Sequence, residues 1–186
     1  KFFTISGIAM LALLPIAISF LKPYQKSRIL TFLNPERDPL GAGYQIIQSK
    51  IAIGSGGLFG KGFLNGSQSY LDYLPEKHTD FIFTLFSEEF GFFGSLFILL
   101  LYALIISRII KIGNITRSSF GKLYCYSFAT AFFIYVVVNM MMVLGLLPIV
   151  GSPLPIMSYG GSSMMAIMFG LGIVMSCKIY KDLPVN

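Results

Sequence analysis

The chain contains no tryptophan, one histidine, two cysteines and few charges: 12% of its 186 residues are charged, against 55% that are hydrophobic. A soluble domain typically carries about 25% charged residues, and a soluble core has no room to hide so much apolar surface. The single histidine, His78, makes neither a metal site nor a triad without partners that the sequence does not show, and is expected to be a local hydrogen-bond partner. The formal net charge of +6 does not point to nucleic acid, because the basic residues sit between apolar runs rather than on one water-exposed stripe. Residue 1 is a lysine and the apolar run begins at once, without the charged lead and small-residue cleavage site of a signal peptide. The expectation is the C-terminal part of a longer protein.

What is present is a set of long uncharged runs. A bilayer core needs roughly 20 mostly apolar residues per helix. Residues 2–21 meet that length, with Pro15 tolerable where neighbouring helices re-satisfy the backbone. Residues 90–107 form a second run, entered through a more polar lead that starts at Asp80. From Leu123 to Cys177 there are 55 residues without a charge, enough for two spans and a connection. The connection is Gly145-Leu146-Leu147-Pro148-Ile149-Val150-Gly151-Ser152-Pro153-Leu154-Pro155, whose three prolines cannot continue a helix. Being uncharged, it is expected to dip into protein.

The predicted fold is an all-α polytopic membrane domain. Its transmembrane helices are expected at 2–21, 80–107, 123–144 and 158–177, with a large loop at 22–79 and a Pro/Gly-rich connection at 145–157. Arg108, Lys111, Arg117 and Lys122, with no acid among them, make 108–122 cytoplasmic by the positive-inside rule. The tail at 178–186 lies on the same side, and the 22–79 loop faces outward. Cys125 and Cys177 both fall near the cytoplasmic ends of spans, where reduced thiols are expected rather than a disulfide. In the outward loop, Asp38-Pro39 starts a short amphipathic helix that carries Leu40, Tyr44, Ile47 and Ile51 along one stripe at the outer interface.

Several polar residues are candidates for chemistry. Asp80 opens the second span. An acid there is favoured by the helix dipole, and the same position suits a catalytic carboxylate; the residues alone leave both open. Ser87, Gly91, Gly94 and Ser95 share its face at about 100° per residue, which is the pattern of a close helix contact. Glu88 and Glu89 are intramembrane carboxylates, functional by default unless paired with a cation. Gly54 to Gly62 fails the Walker pattern at Ser55 and Gly62. Its glycine amides beside Lys61 suit either a pyrophosphate or a plain turn. Lys50, Arg37 and Lys61 are phosphate-contact candidates; Asn139 is expected to hydrogen-bond another helix.

Taken together, these segments resemble the SEDS family of RodA and FtsW membrane proteins. The residues that carry the likeness are Asn34-Pro35-Glu36-Arg37-Asp38-Pro39-Leu40-Gly41-Ala42-Gly43-Tyr44-Gln45, Ile53 to Gly57, Gly60-Lys61-Gly62, Leu74 to Phe83, and Gly145 to Ser163. The Asp38 to Gln45 and Lys61-Gly62 runs are nearer the RodA branch. The resemblance implies ten spans in all, of which these would be the last four. It also implies a peptidoglycan glycosyltransferase that polymerises lipid II at the outer face of the bacterial cytoplasmic membrane during elongation and shape maintenance, releases undecaprenyl pyrophosphate, and partners with a class B penicillin-binding protein. Asp80 matches the family's proposed catalytic residue and Asp72 a further functional acid. Asp72, Glu76, His78, Lys61, Lys50, Arg37, Glu88, Ser158 and Tyr159 are then candidate substrate contacts.

In such a reaction one carboxylate opposite the departing pyrophosphate suffices for an inverting displacement, and Asp80 would deprotonate the acceptor hydroxyl. No cofactor is evident; a divalent cation, Mg or Mn, is the one ion suited to the pyrophosphate. Two other classes stand beside the enzyme. A lipid-linked precursor transporter would line its path with Glu88, Glu89 and Asn139, and a scaffold would only hold a transpeptidase.

Overall fold

A computed structural model of the chain describes residues 22–38, 41–67 and 78–180, and the first expected span, 2–21, lies outside them. The described elements are all helical. In chain order they are α1 (Pro23–Leu33), a 3₁₀ turn (Pro35–Arg37), α2 (Ala42–Ser55), α3 (Ile82–Ile115), α4 (Ser119–Val143) and α5 (Gly161–Ile179). The last three are long and apolar enough to cross a membrane.

Several boundaries differ from the sequence reading, and α5 begins at Gly161 rather than at 158, so the connection extends through Ser158 and Tyr159 to Gly160. α3 begins at Ile82 rather than Asp80, so Asp80 sits in the turn before the helix and not in its first turn. The expected 108–122 loop shrinks to residues 116–118, because α3 continues through Arg108 and Lys111, α4 takes in Lys122, and Ser118 caps α4 by accepting from Gly121 N. Basic side chains on a terminal helical turn reach water without unwinding the helix.

α2 also starts later than expected. The Asp38 carboxylate accepts from Ala42 N at 3.0 Å, satisfying one of the orphan amides of a helix N-terminus. The face it buries is Gly43, Ile46, Ser49 and Ala52, while Ile51 is exposed. The predicted Tyr44, Ile47, Ile51 stripe therefore lies on roughly the opposite side, at about 100° per residue. Polarity decides this: the Ser49 hydroxyl shares a hydrogen bond with Thr84 Oγ1 (2.8 Å) and donates to Val143 O (2.7 Å). In a membrane protein an apolar residue is as well placed against lipid as against the core.

The helices are packed unequally. Of the most apolar stretch of α4, 39% is buried, against 11% in α3 and in α5, so α4 is the inner helix. One core cluster gathers Ile46, Phe81, Phe83, Tyr102, Phe132, Val143, Ile149 and Leu154, and thereby joins α2, the start of α3, α4 and the connection. A second, smaller cluster at the other end joins Ile109, Cys125, Ala129 and Val174. Both cysteines are free thiols, and Cys177 packs on that second cluster.

Candidate functional site

The site is best built from the turn that precedes α3. Its three successive carbonyls are each held by a donor from elsewhere in the fold. Tyr159 N donates to His78 O at 2.9 Å, Ser158 Oγ to Thr79 O at 2.6 Å, and Asn139 Nδ2 to Asp80 O at 2.9 Å. Ser158 Oγ in turn accepts from Leu154 N (2.6 Å), and Asn139 Nδ2 also donates to Ser152 O (2.7 Å). Asn139 and Phe81 are fully or almost fully buried. A buried backbone acceptor costs free energy when unpaired, so these bonds lock the turn to α4 and to the connection.

The connection is itself tied down. Arg28 of α1 donates to Ile149 O at 2.8 Å and Tyr102 of α3 to Pro155 O at 2.6 Å. Ile156, a β-branched residue, sits at φ 69°, in the left-handed region that costs such residues of order 1–3 kcal/mol. Gly151 (φ 75°) faces the acid: a Cβ there would lie 3.4 Å from Asp80 Oδ2. The half-buried Asp80 side chain thus stands beside a backbone stretch without a side chain. A cavity of about 500 Å³ opens alongside, lined by His78, Ile82, Ile156, Met157, Ser158 and Tyr159.

The glycine-rich run has a different task from phosphate binding. α3 is broken at Gly91 (φ 67°, ψ −160°), a conformation essentially reserved for glycine. A break frees two carbonyls and two amides, and all four are met by one loop. Lys61 N and Gly62 N donate to Glu88 O and Glu89 O (both 3.0 Å), while Phe92 N and Phe93 N donate to Gly57 O (2.9 Å) and Leu58 O (3.2 Å). Such irregular backbone is tolerated inside a membrane only when packed in this way. The approach needs glycine on both sides, since a Cβ on Gly60 would strike Glu89 O and one on Gly91 would strike Gly60 N. The amides of Lys61 and Gly62 are therefore spent on the helix and do not cradle a pyrophosphate.

Lys61 follows its backbone. Its Nζ lies 2.7 Å from Glu88 Oε1, and Ser67 Oγ donates to the same oxygen at 3.0 Å. Glu88 is fully buried, so this pair neutralises a charge that cannot otherwise be afforded. The cation that pairs with Glu88 comes from within the described chain. Lys50 is placed away from the turn, with its ammonium over Gly145, where it meets the carbonyl end of α4. Ser87 and Ser95 hydrogen-bond each other at 2.9 Å, on the packed face of α3.

The structure thus brings His78, Ser158 and Tyr159 to one cavity, holds the Asp80 backbone in the adjoining turn with its carboxylate towards Gly151, and places Lys61, Glu88 and Lys50 in contacts elsewhere. Asp72, Glu76 and the Arg37 side chain lie outside the described residues. The sequence reading missed Arg28, Tyr102 and Ser152. Arg28 and Tyr102 donate to backbone carbonyls of the connection, and Ser152 takes part through its own carbonyl, which accepts from Asn139; backbone acceptors carry no sequence signal. Asn139 does bond across the fold, but to a turn and the connection rather than to a helix. Among the described residues no three His, Cys, Asp or Glu side chains gather as metal ligands.

The comparisons with known proteins agree with this architecture. A model of the FtsW/RodA/SpoVE family, described as Cell cycle protein, matches residues 1–183. The peptidoglycan glycosyltransferase MrdB of Escherichia coli is 49% identical over 180 residues, covering 96% of this chain and 49% of MrdB. The peptidoglycan glycosyltransferase RodA of Treponema pallidum is 47% identical over 161 residues, covering 87% of this chain and 37% of RodA. A chain from a solved peptidoglycan synthase complex, described as coordinating polymerization and crosslinking, superposes with a TM-score of 0.74 at 38% identity, covering 97% of this chain and 49% of its own length. The chain therefore spans about half the length of the relatives it matches. By sequence over nearly its whole length, and by fold, this integral membrane chain belongs to the FtsW/RodA/SpoVE family.

Proposed function

We propose that this chain carries the catalytic end of a peptidoglycan glycosyltransferase that polymerises lipid II during cell-wall elongation, with Asp80 as the general base. The observation that carries the reading is the clamp on His78, Thr79 and Asp80, three consecutive carbonyls held by donors from α4 and the connection. A base must be held within hydrogen-bond reach of the proton it takes, and this turn is fixed before substrate arrives. Asp80 removes the proton from the acceptor sugar hydroxyl as the new glycosidic bond forms. The bond to the polyprenyl pyrophosphate breaks on the opposite face, and the pyrophosphate leaves with its electron pair.

Under this reading the turn faces the outer side of the bacterial cytoplasmic membrane and the basic end of α3 faces the cytoplasm. The sugar head meets the groove beside Ser158 and Tyr159. The isoprenoid tail has apolar space beneath the connection, where Phe128, Phe132, Pro153 and Ile167 line a cavity of about 300 Å³. A Mg or Mn ion would neutralise charge on the leaving pyrophosphate, and Asp80 is the one carboxylate that this turn would offer it. The partner would be a class B penicillin-binding protein, in keeping with the synthase complex that this fold matches. The transport reading is weakened, because Glu88 and Asn139, two of its three lining residues, are engaged in bonds within the fold.

The test is lipid II polymerisation by the full-length protein with its transpeptidase partner. Glycan chains should vanish in the Asp80→Asn variant while partner binding persists. Normal polymer from that variant would refute the assignment, and precursor crossing a liposome without polymer would support transport instead.

A further inference from the structure

The end of the bundle remote from Asp80, about 40 Å away along α3, carries a charged cluster that the transfer reaction does not use. Arg108, Lys111, Ile112 and Ile115 fall on one face of α3 at spacings of three and four residues. Met175 and Lys178 reach the same place from the end of α5, and all of them line one cavity of about 520 Å³. Asn114 joins them. Its side-chain carbonyl is taken by the Tyr126 hydroxyl, so what it has left to offer is the amide donor.

No acid lines this cavity, and Arg108, Lys111 and Lys178 form no ion pair with a described residue. Asp182, outside the described residues, is a single negative charge with Lys181 beside it, so it does not balance three cations. Placement on the positive side of a membrane accounts for the sign of these residues. It does not account for their convergence, from helices some 70 positions apart in sequence, on a single cavity. Like charges brought together repel, and an anion seated among them removes that cost.

The apolar part of the lining identifies the kind of anion. Ile112, Ile115 and Met175 are wasted on an inorganic ion, whereas an amphipathic ligand uses both halves of the site. Basic pockets between membrane helices suit anionic lipid head groups, and a guanidinium such as Arg108 matches a phosphate in two-pronged geometry. We infer that this cavity binds the phosphodiester head group of an anionic phospholipid, with its glycerol and first acyl carbons against Ile112, Ile115 and Met175. Bound there, the lipid bridges α3 and α5 at an end where these helices share few polar contacts.

The test places the full-length protein in nanodiscs of mixed phosphatidylglycerol and phosphatidylcholine, and uses native mass spectrometry to count the lipid retained on stepwise delipidation. The parent protein should retain phosphatidylglycerol in preference to phosphatidylcholine. Each charge-assisted hydrogen bond lost from the phosphodiester is worth about a factor of ten, so Arg108→Gln with Lys178→Gln should weaken that preference about a hundredfold. Neutralising Arg117 and Lys122, equal in charge and at the same end but outside the lining, should leave it intact. Exchanging the cations, Arg108→Lys with Lys178→Arg, should preserve most of it and so separates charge from folding. The inference fails if the first pair retains lipid like the parent or if the control pair loses as much. It also fails if excess inorganic phosphate displaces the lipid, which would make the site one for a free anion.

Discussion

The two ends of this helical bundle are built from different interactions. At the Asp80 end the elements are tied by directional bonds between residues distant in sequence: Arg28 to Ile149, Ser49 to Thr84 and Val143, Tyr102 to Pro155, Asn139 to Asp80 and Ser152, Ser158 to Thr79. At the other end Cys125, Ala129, Ile109 and Val174 meet through small side chains, and Gly113 and Gly121 let α3 and α5 approach α4. Packing of this kind holds helices together in lipid without setting any one atom precisely. Hydrogen bonds specify both distance and angle. The polar bonds are concentrated around the Asp80 turn, and removing either class of interaction should expose a different property.

The largest effect is expected at the carboxylate itself. Asp80→Asn keeps the shape of the side chain and removes the proposed base, so polymerisation should fall about 10²- to 10⁴-fold with an unchanged unfolding midpoint, measured side by side on purified protein. Next comes the ion pair at the helix break. Lys61→Met leaves the fully buried Glu88 without its cation and should cost about 3 kcal/mol of stability. Thermal unfolding in detergent would show this, and adding Glu88→Leu should recover most of the loss. Recovery distinguishes a structural pair from a substrate contact, since a residue that binds pyrophosphate would not be rescued by deleting its neighbour.

Much of the architecture was legible in the sequence because lipid imposes a simple rule: an uncharged run of about 20 residues spans, and three clustered prolines do not. α4, α5 and the packed connection follow from it. The site was legible only in part. Asp80 stood out through family motifs, whereas its clamp did not, because the acceptors are backbone carbonyls common to every residue. The glycine run was open to two readings, a pyrophosphate cradle or a plain turn, and neither named its actual partners, the groups freed at Gly91. A glycine inside an apolar helix, together with a glycine-rich loop of the same chain, was the signal for that docking. α2 was turned to the wrong face because its inward residues include Ser49, whose value lies in two buried hydrogen bonds.

Asn139→Ala attacks the clamp directly. It leaves Asp80 O and Ser152 O without this donor in a buried setting, at a cost of about 2 kcal/mol. Because the lost bonds position the base, polymerisation should also fall between about tenfold and a hundredfold, and hydrogen exchange should quicken at the amides of residues 78–81. A variant that loses stability but keeps full activity would show that the turn is held adequately by Ser158 and Tyr159 alone.

The smallest effect is expected at the opposite end, and it sharpens the contrast most. Val174→Ala removes two buried methyl groups from the cluster with Cys125 and Ala129. In water that change is worth about 1.6 kcal/mol, but lipid tails are as apolar as the core and part of that driving force is absent. A loss of about 1 kcal/mol is therefore expected, with polymerisation and exchange at residues 78–81 unchanged. If Val174→Ala lowers activity as Asn139→Ala does, the two ends are mechanically coupled through α4, and the separation of a positioning end from a packing end does not hold.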